Sequence, residues 1–158
     1  MNAEEMPPDF HPTLWSVKKH YRYLLCCSST QLPFYRDTSW HFPHVLSLAA
    51  MQRSANHLLG THDFSAFCNA RSIWDRNPIC TLESISITPL AESDRYQFDI
   101  TGDHFLYKMV RNLVGALAYA GCGKLDPDAI PAILSSKDRT QAAMTAPAHG
   151  LCLKQVFY

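Results

Sequence analysis

The sequence predicts an α+β fold, a mixed or antiparallel sheet of about four or five strands covered by about three helices. Three observations lead there. Residues 82–88 and 96–101 alternate apolar and polar side chains on either side of a polar link containing Pro89, Ser93 and Asp94, the pattern of an antiparallel hairpin. Leu106, Met109, Val110, Leu113, Val114 and Leu117 recur at helical spacing. Over residues 150–158 the chain ends on a strand-like run, as a terminus tied into a sheet does.

With 158 residues, 47% of them hydrophobic and 18% charged, the chain is long enough to bury a core and is most simply one domain. Its formal charge is zero, so a nucleic-acid partner would have to be met by a local basic patch. The six cysteines include no C-x-x-C pair, and nothing at the N-terminus resembles a secretory signal. They read as reduced thiols of a cytoplasmic protein, with no structural zinc site. No apolar run approaches the ~20 residues that cross a bilayer, so a soluble chain is expected.

Residues 1–12 are acidic and proline-rich, without periodicity, and read as an extended lead-in arm before a single domain over residues 13–158. Residues 20–26 have the aromatic and apolar content of a strand, with Tyr21 and Tyr23 on one face and Arg22 on the other. Lys18, Lys19, His20 and Arg22 make this the most basic short stretch. Cations interleaved with aromatic rings suit a nucleic acid, and they equally suit a strand edge guarded against aggregation. Residues 33–42 read as loop. Pro43 suits the first turn of a helix running to about Leu59, with Val45, Leu48 and Ala55 on its core face and Gly60 as its stop. In residues 61–68, polar groups are placed to cap a short turn between Phe64 and Phe67; His62 beside Asp63 reads as structural, because sequence neighbours do not orient one another as a catalytic pair does. The loop of residues 69–79 carries Arg71 and Arg76, both suited to phosphate.

Residues 102–117 read as strand, tight turn and helix, with Asp103 as the helix cap. Lys108, Arg111, Asn112 and Gly115 fall largely off the apolar stripe. Two readings of Arg111 stand open: a solvated or salt-bridged surface cation, or a planar cation reaching a carboxylate or phosphate in two-pronged fashion. Residues 121–123 close that helix. A short helix over residues 127–136 follows, with Pro127 in its first turn and Pro131 limiting its regularity, and then a charged turn, Lys137-Asp138-Arg139.

No phosphate-binding glycine loop, G-x-S-x-G elbow or H-E-x-x-H helix is present. His149 and Cys152 do not form a nucleophilic pair, since three extended residues separate them by about 10 Å. Six stretches carry more information together: Phe10-His11-Pro12, residues 18–23, residues 60–67, residues 105–115, residues 137–139 and residues 145–151. In this order and spacing they resemble the C-terminal half of the tRNA pseudouridine synthase A family.

The resemblance implies an isomerase that converts uridines of the tRNA anticodon arm to pseudouridine, without a metal or an organic cofactor, as a homodimer with tRNA crossing both subunits. Such an enzyme flips its target nucleotide out of the stack. By motif match Tyr21 contacts the uracil, Arg111 pairs with the catalytic aspartate and Leu151 packs near the base. Lys18, Lys19, Arg22, Arg71, Arg76, Lys108, Lys137 and Arg139 are the candidate contacts to the tRNA backbone. The family's nucleophilic aspartate stands in an R-T-D-A-G-V-H motif upstream of the F-H segment, and none of the aspartates here has that context. The chain is therefore expected to be a fragment, inactive alone. Thr13-Leu14-Trp15 also departs from the family's usual arginine and aromatic. A stand-alone, non-catalytic RNA-binding or dimerisation module is the alternative; a small metabolic enzyme of unrelated chemistry is the third reading.

Overall fold

The computed structural model describes residues 5–12, 14–69, 77–90 and 94–158. Its sheet is built around β1 (Lys18–Cys26), which pairs antiparallel along one edge with β5 (Arg95–Gly102). The other edge of β1 is shared by two strands. β6 (Leu151–Phe157) runs antiparallel along Lys18 to Tyr23, and the short β2 (Trp40–His41) runs parallel along Leu25 and Cys26. Beyond β5 lie β4 (Ile79–Leu90) and then β3 (Gly60–Asp63), each antiparallel to its neighbour. The class is the expected one, with six strands in the mixed sheet. The additions, β2 and β3, have two and four residues, too few to show an alternating pattern in the sequence.

Alternation divides the sheet into two faces. Tyr23, Leu25, Phe98 and Ile100 are buried under the helices, while His20, Arg22, Asp99, Ser84 and Ser86 lie on the polar side. A bulge makes this possible in β4. Leu82 and Ile85 are three residues apart and would fall on opposite faces of a regular strand, but the register shifts between Leu82 and Ser84 and brings both to the core side.

α1 (Leu48–Leu58) begins later than Pro43, because Ser47 caps it by accepting a bond from the Ala50 amide. Residues before the cap stay tied to the sheet through the Phe42 amide on the Cys26 carbonyl. Val45, expected on the core face, is consequently 95% exposed, and Leu46 is buried instead.

α2 (Met109–Gly121) also begins later than expected, after Lys108 in the left-handed region at φ 62°. Asp103 is not its cap. The Asp103 carboxylate accepts from the amides of Thr81 and His104, stitching the turn after β5 to β4. α2 is buried well beyond its apolar stripe: Asn112, Gly115 and Ala116 are enclosed too. At Gly115 a Cβ would stand 1.9 Å from the Met144 carbonyl oxygen, so only glycine lets residues 144–146 lie against the helix.

α3 (Ile130–Ser136) follows a 3₁₀ turn, Pro127–Ala129, that is capped by Asp126. Pro131 stands in the first turn of α3, where its missing N–H leaves no helical bond unmade, so it starts the helix instead of limiting it. Lys137, at φ 55°, ends it. No helix among the described residues is long and apolar enough to cross a membrane.

Candidate functional site

Period-two alternation puts Tyr21 and Tyr23 on the helix side of β1, with different surroundings. Tyr23 is wholly buried, and its hydroxyl donates to the Pro147 carbonyl at 2.7 Å. Burial pushes its phenol far above the usual tyrosine range, against the opposing charge of Arg111, so it remains a neutral donor. Tyr21 is only half-buried and meets the edge of Phe105 with ring centroids 5.1 Å apart. Phe105 comes from the turn between β5 and α2, and Leu151 from the first position of β6, opposite Tyr23.

Arg111 lies in the first turn of α2, half-buried, with its Nε donating to the Ala146 carbonyl at 2.6 Å. The Ala146 amide donates back to the Arg111 carbonyl at 3.1 Å. This pairing holds the guanidinium plane through Nε and leaves its two terminal nitrogens without a hydrogen-bond partner among the described residues. Tyr21, Phe105, Lys108, Val110, Arg111 and Leu151 all line one cleft of about 100 Å³. Two cations and the positive end of the α2 dipole give the cleft a positive potential, and no acidic side chain is among its described lining. Such a site can seat a planar ring against apolar walls and present a fork to an anion. Its described lining has no carboxylate, thiol or imidazole.

The structure thus brings Tyr21, Arg111 and Leu151 together. The basic residues singled out by sequence are dispersed. Lys18 pairs with Glu83 at 3.0 Å, Arg22 with Asp99 at 2.9 Å and Lys137 with Asp63 at 2.8 Å. Arg139 is engaged with Asn112, Thr145 and two backbone carbonyls. Lys108 lines the cleft, and Lys19 has no ion pair among the described residues. Arg71 and Arg76 lie outside the described residues.

Elsewhere, Cys80 Sγ stands 3.3 Å from His104 Nε2, and His104 Nδ1 stands 3.0 Å from Asp103. The order is that of a thiol–imidazole–carboxylate relay, but burial first, and the Asp103 charge next, push the Cys80 thiol up to about 12. A thiol so protonated is no nucleophile. His62 and Asp63 are also apart in their contacts: His62 reaches the Leu59 carbonyl, and Asp63 holds Ser65 and Lys137. His149 reaches the Ser39 carbonyl and Cys152 that of Leu153, so they too form no pair.

Residues 54–158 match the family described as tRNA pseudouridine synthase. The chain belongs to that family. Across its full length it is 48% identical to tRNA pseudouridine synthase A 2 of Protochlamydia amoebophila. Over 99% of its length it is 41% identical to tRNA pseudouridine synthase A of Bacillus subtilis and 40% identical to that of Geotalea daltonii. It spans 60%, 62% and 63% of those three proteins respectively.

Two contacts at this site of the family member carry no direct signal in the sequence, that of Phe105 with Tyr21 and that of the Ala146 backbone with Arg111. Phe105 has no role of its own in the sequence reading, yet it meets the Tyr21 ring; Lys108, expected as a contact to the tRNA backbone, lines the cleft from a left-handed turn. Ala146 acts through its backbone, which leaves no side-chain signal. The proline after it was the available hint, since the residue before proline is held extended.

Proposed function

We propose that this chain forms the substrate-cradling part of a tRNA pseudouridine synthase acting on uridines of the anticodon arm. One observation carries the reading: Tyr21, Arg111 and Leu151, far apart in sequence, line a single cleft. In this reading the uridine is flipped out of the stack, its ring lies against Tyr21 with Leu151 at its side, and Phe105 keeps the Tyr21 ring from turning away. Lys108 meets a neighbouring phosphate, with Lys19, Arg71 and Arg76 as further candidates. The free edge of the Arg111 guanidinium receives the nucleophilic aspartate, two N–H groups to two oxygens, and holds it ionised toward the ribose.

The reaction is an isomerisation. The bond from ribose to a ring nitrogen breaks, a bond from ribose to a ring carbon forms, and no atom is gained or lost overall. No metal or organic cofactor enters this scheme. The sequence contains no R-T-D-A-G-V-H motif, so in this reading the activity needs a half that bears it in addition to residues 13–158, which we take as one domain. A homodimer with tRNA crossing both subunits, at work in the cytoplasm, completes the reading.

The test is turnover on unmodified tRNA. The chain alone should form no pseudouridine, and the chain joined to an R-T-D-A-G-V-H-bearing half should form it. Tyr21→Ala or Arg111→Ala should then lower kcat about 100-fold or more. Pseudouridine made by the chain alone would sink the missing-nucleophile argument, and wild-type rates in both variants would sink the site. The absence of any acid from the described cleft lining also favours a second reading, a non-catalytic RNA-binding module. That reading stands if the joined protein binds tRNA and never turns it over.

A further inference from the structure

Arg139 has the sequence context of a surface cation, yet it is spent inside the chain. Its Nη1 donates to the carbonyls of Ala142 at 3.1 Å and Ala143 at 2.9 Å, and its Nη2 donates to Asn112 Oδ1 at 3.0 Å and Thr145 Oγ1 at 2.9 Å. These bonds use all four terminal N–H groups and leave only Nε–H, so the two-pronged contact that arginine makes to a phosphate is no longer open to it. The Thr145 hydroxyl in turn donates to Asn112 Oδ1 at 2.6 Å. Asn112, wholly buried, anchors the group by donating from Nδ2 to the Phe67 carbonyl at 2.6 Å.

The network joins the two sides of one contact. Asn112 follows Arg111 on α2, and Thr145 precedes Ala146, the residue whose carbonyl receives Arg111 Nε. Arg139 therefore ties the helix to the segment that sets the plane of the Arg111 guanidinium. The close approach of Met144 to Gly115 holds the same segment down from the other end. A two-pronged contact to a carboxylate tolerates only about 0.5 Å and 10–20° of error, so the free edge of Arg111 is useful only if Nε is held.

We propose that Arg139, Thr145 and Asn112 are positioning residues that orient Arg111 for a carboxylate partner, and that Arg139 is not a contact to RNA. The link to catalysis rests on the role of Arg111 proposed above; the orientation itself does not.

NMR of the Arg111 side-chain Nε–H in the 158-residue chain tests the orientation. In the wild type this proton should exchange slowly with solvent. Arg139→Lys, which keeps the charge and loses the fork, and Thr145→Val, which keeps the shape and loses the hydroxyl, should each speed its exchange about tenfold or more, with the backbone amides of β1 and β5 still protected. Unchanged Nε–H exchange in Thr145→Val overturns the proposal, including when Arg139→Lys fails to fold. The chain joined to an aspartate-bearing half tests the consequence. Both variants should lower kcat about 10- to 100-fold and leave KM for tRNA within about twofold. A raised KM with unchanged kcat would make Arg139 an RNA-binding residue and overturn the proposal. Absence of turnover in the wild type would count against the proposed function, while the Nε–H measurement would still decide the orientation.

Discussion

Tyr21 and Tyr23 share a face of β1 and have opposite fates, because the sheet end is open at one and covered at the other. Tyr23 depends on its single hydroxyl bond to Pro147. Tyr23→Phe leaves that carbonyl unpaired in a buried place and should cost about 1–2 kcal/mol, a fall in Tm of about 2–8 °C in thermal unfolding. An unchanged Tm would show that water replaces the hydroxyl. On the other face, burial pushes the Asp99 carboxyl up, but hydrogen bonds from Arg22, His20 and Gln97, with the charge of Arg22, outweigh it and hold the group below the usual carboxylate range. Because the folded-state pKa is the lower one, Asp99 contributes stability that is present above its unfolded pKa of about 3.9 and lost as pH falls through the folded value. In denaturant unfolding, the deficit of Asp99→Asn against the wild type should be full at pH about 7 and shrink below pH about 4. A deficit independent of pH would remove the charge from the explanation.

At the scale of elements, α2 and residues 142–146 behave as one unit. The helix is enclosed on nearly every side, and glycine at position 115 is what permits the approach of Met144. Gly115→Ala must push that segment away from the helix. It should destabilise the chain by about 1–3 kcal/mol in denaturant unfolding and, through Ala146, loosen the Arg111 Nε–H in the same NMR measurement. Loss of stability with an unaltered Nε–H would show that Ala146 is held independently of Met144. The elements with long repeating patterns, β1, β4, β5 and the body of α2, are legible in the sequence to within a few residues. The starts of α1 and α2 are not. Ser47 outcompeted Pro43 as the initiating residue, and Asp103 was taken up by Thr81 across the sheet, a partner no local pattern reveals.

For the whole molecule, zero net charge makes the proposed RNA contact local, and the ion pairs of Lys18, Arg22 and Lys137 reduce the cations on offer still further. If about three phosphates are neutralised, raising salt fourfold should weaken tRNA binding about 20- to 40-fold in filter binding. Salt-independent binding would point to contacts other than the backbone. Lys108→Ala should lower that salt slope, and Arg139→Gln should not.

The α+β class, the strands and helix that carry Tyr21, Arg111 and Leu151 and, through motifs in order, the family to which the chain belongs are all legible without a structure. Periodicity and motif are local properties and survive without a fold. Tertiary structure alone decided which residues hold which. It joined those three residues at one cleft, turned Arg139 from the surface into a brace, gave Asp103 to β4 and made the Ala146 backbone the seat of Arg111. The reason is physical. A hydrogen-bond donor takes the acceptor that folding brings within about 3 Å, and for these residues that acceptor lies a strand or a helix away in the chain.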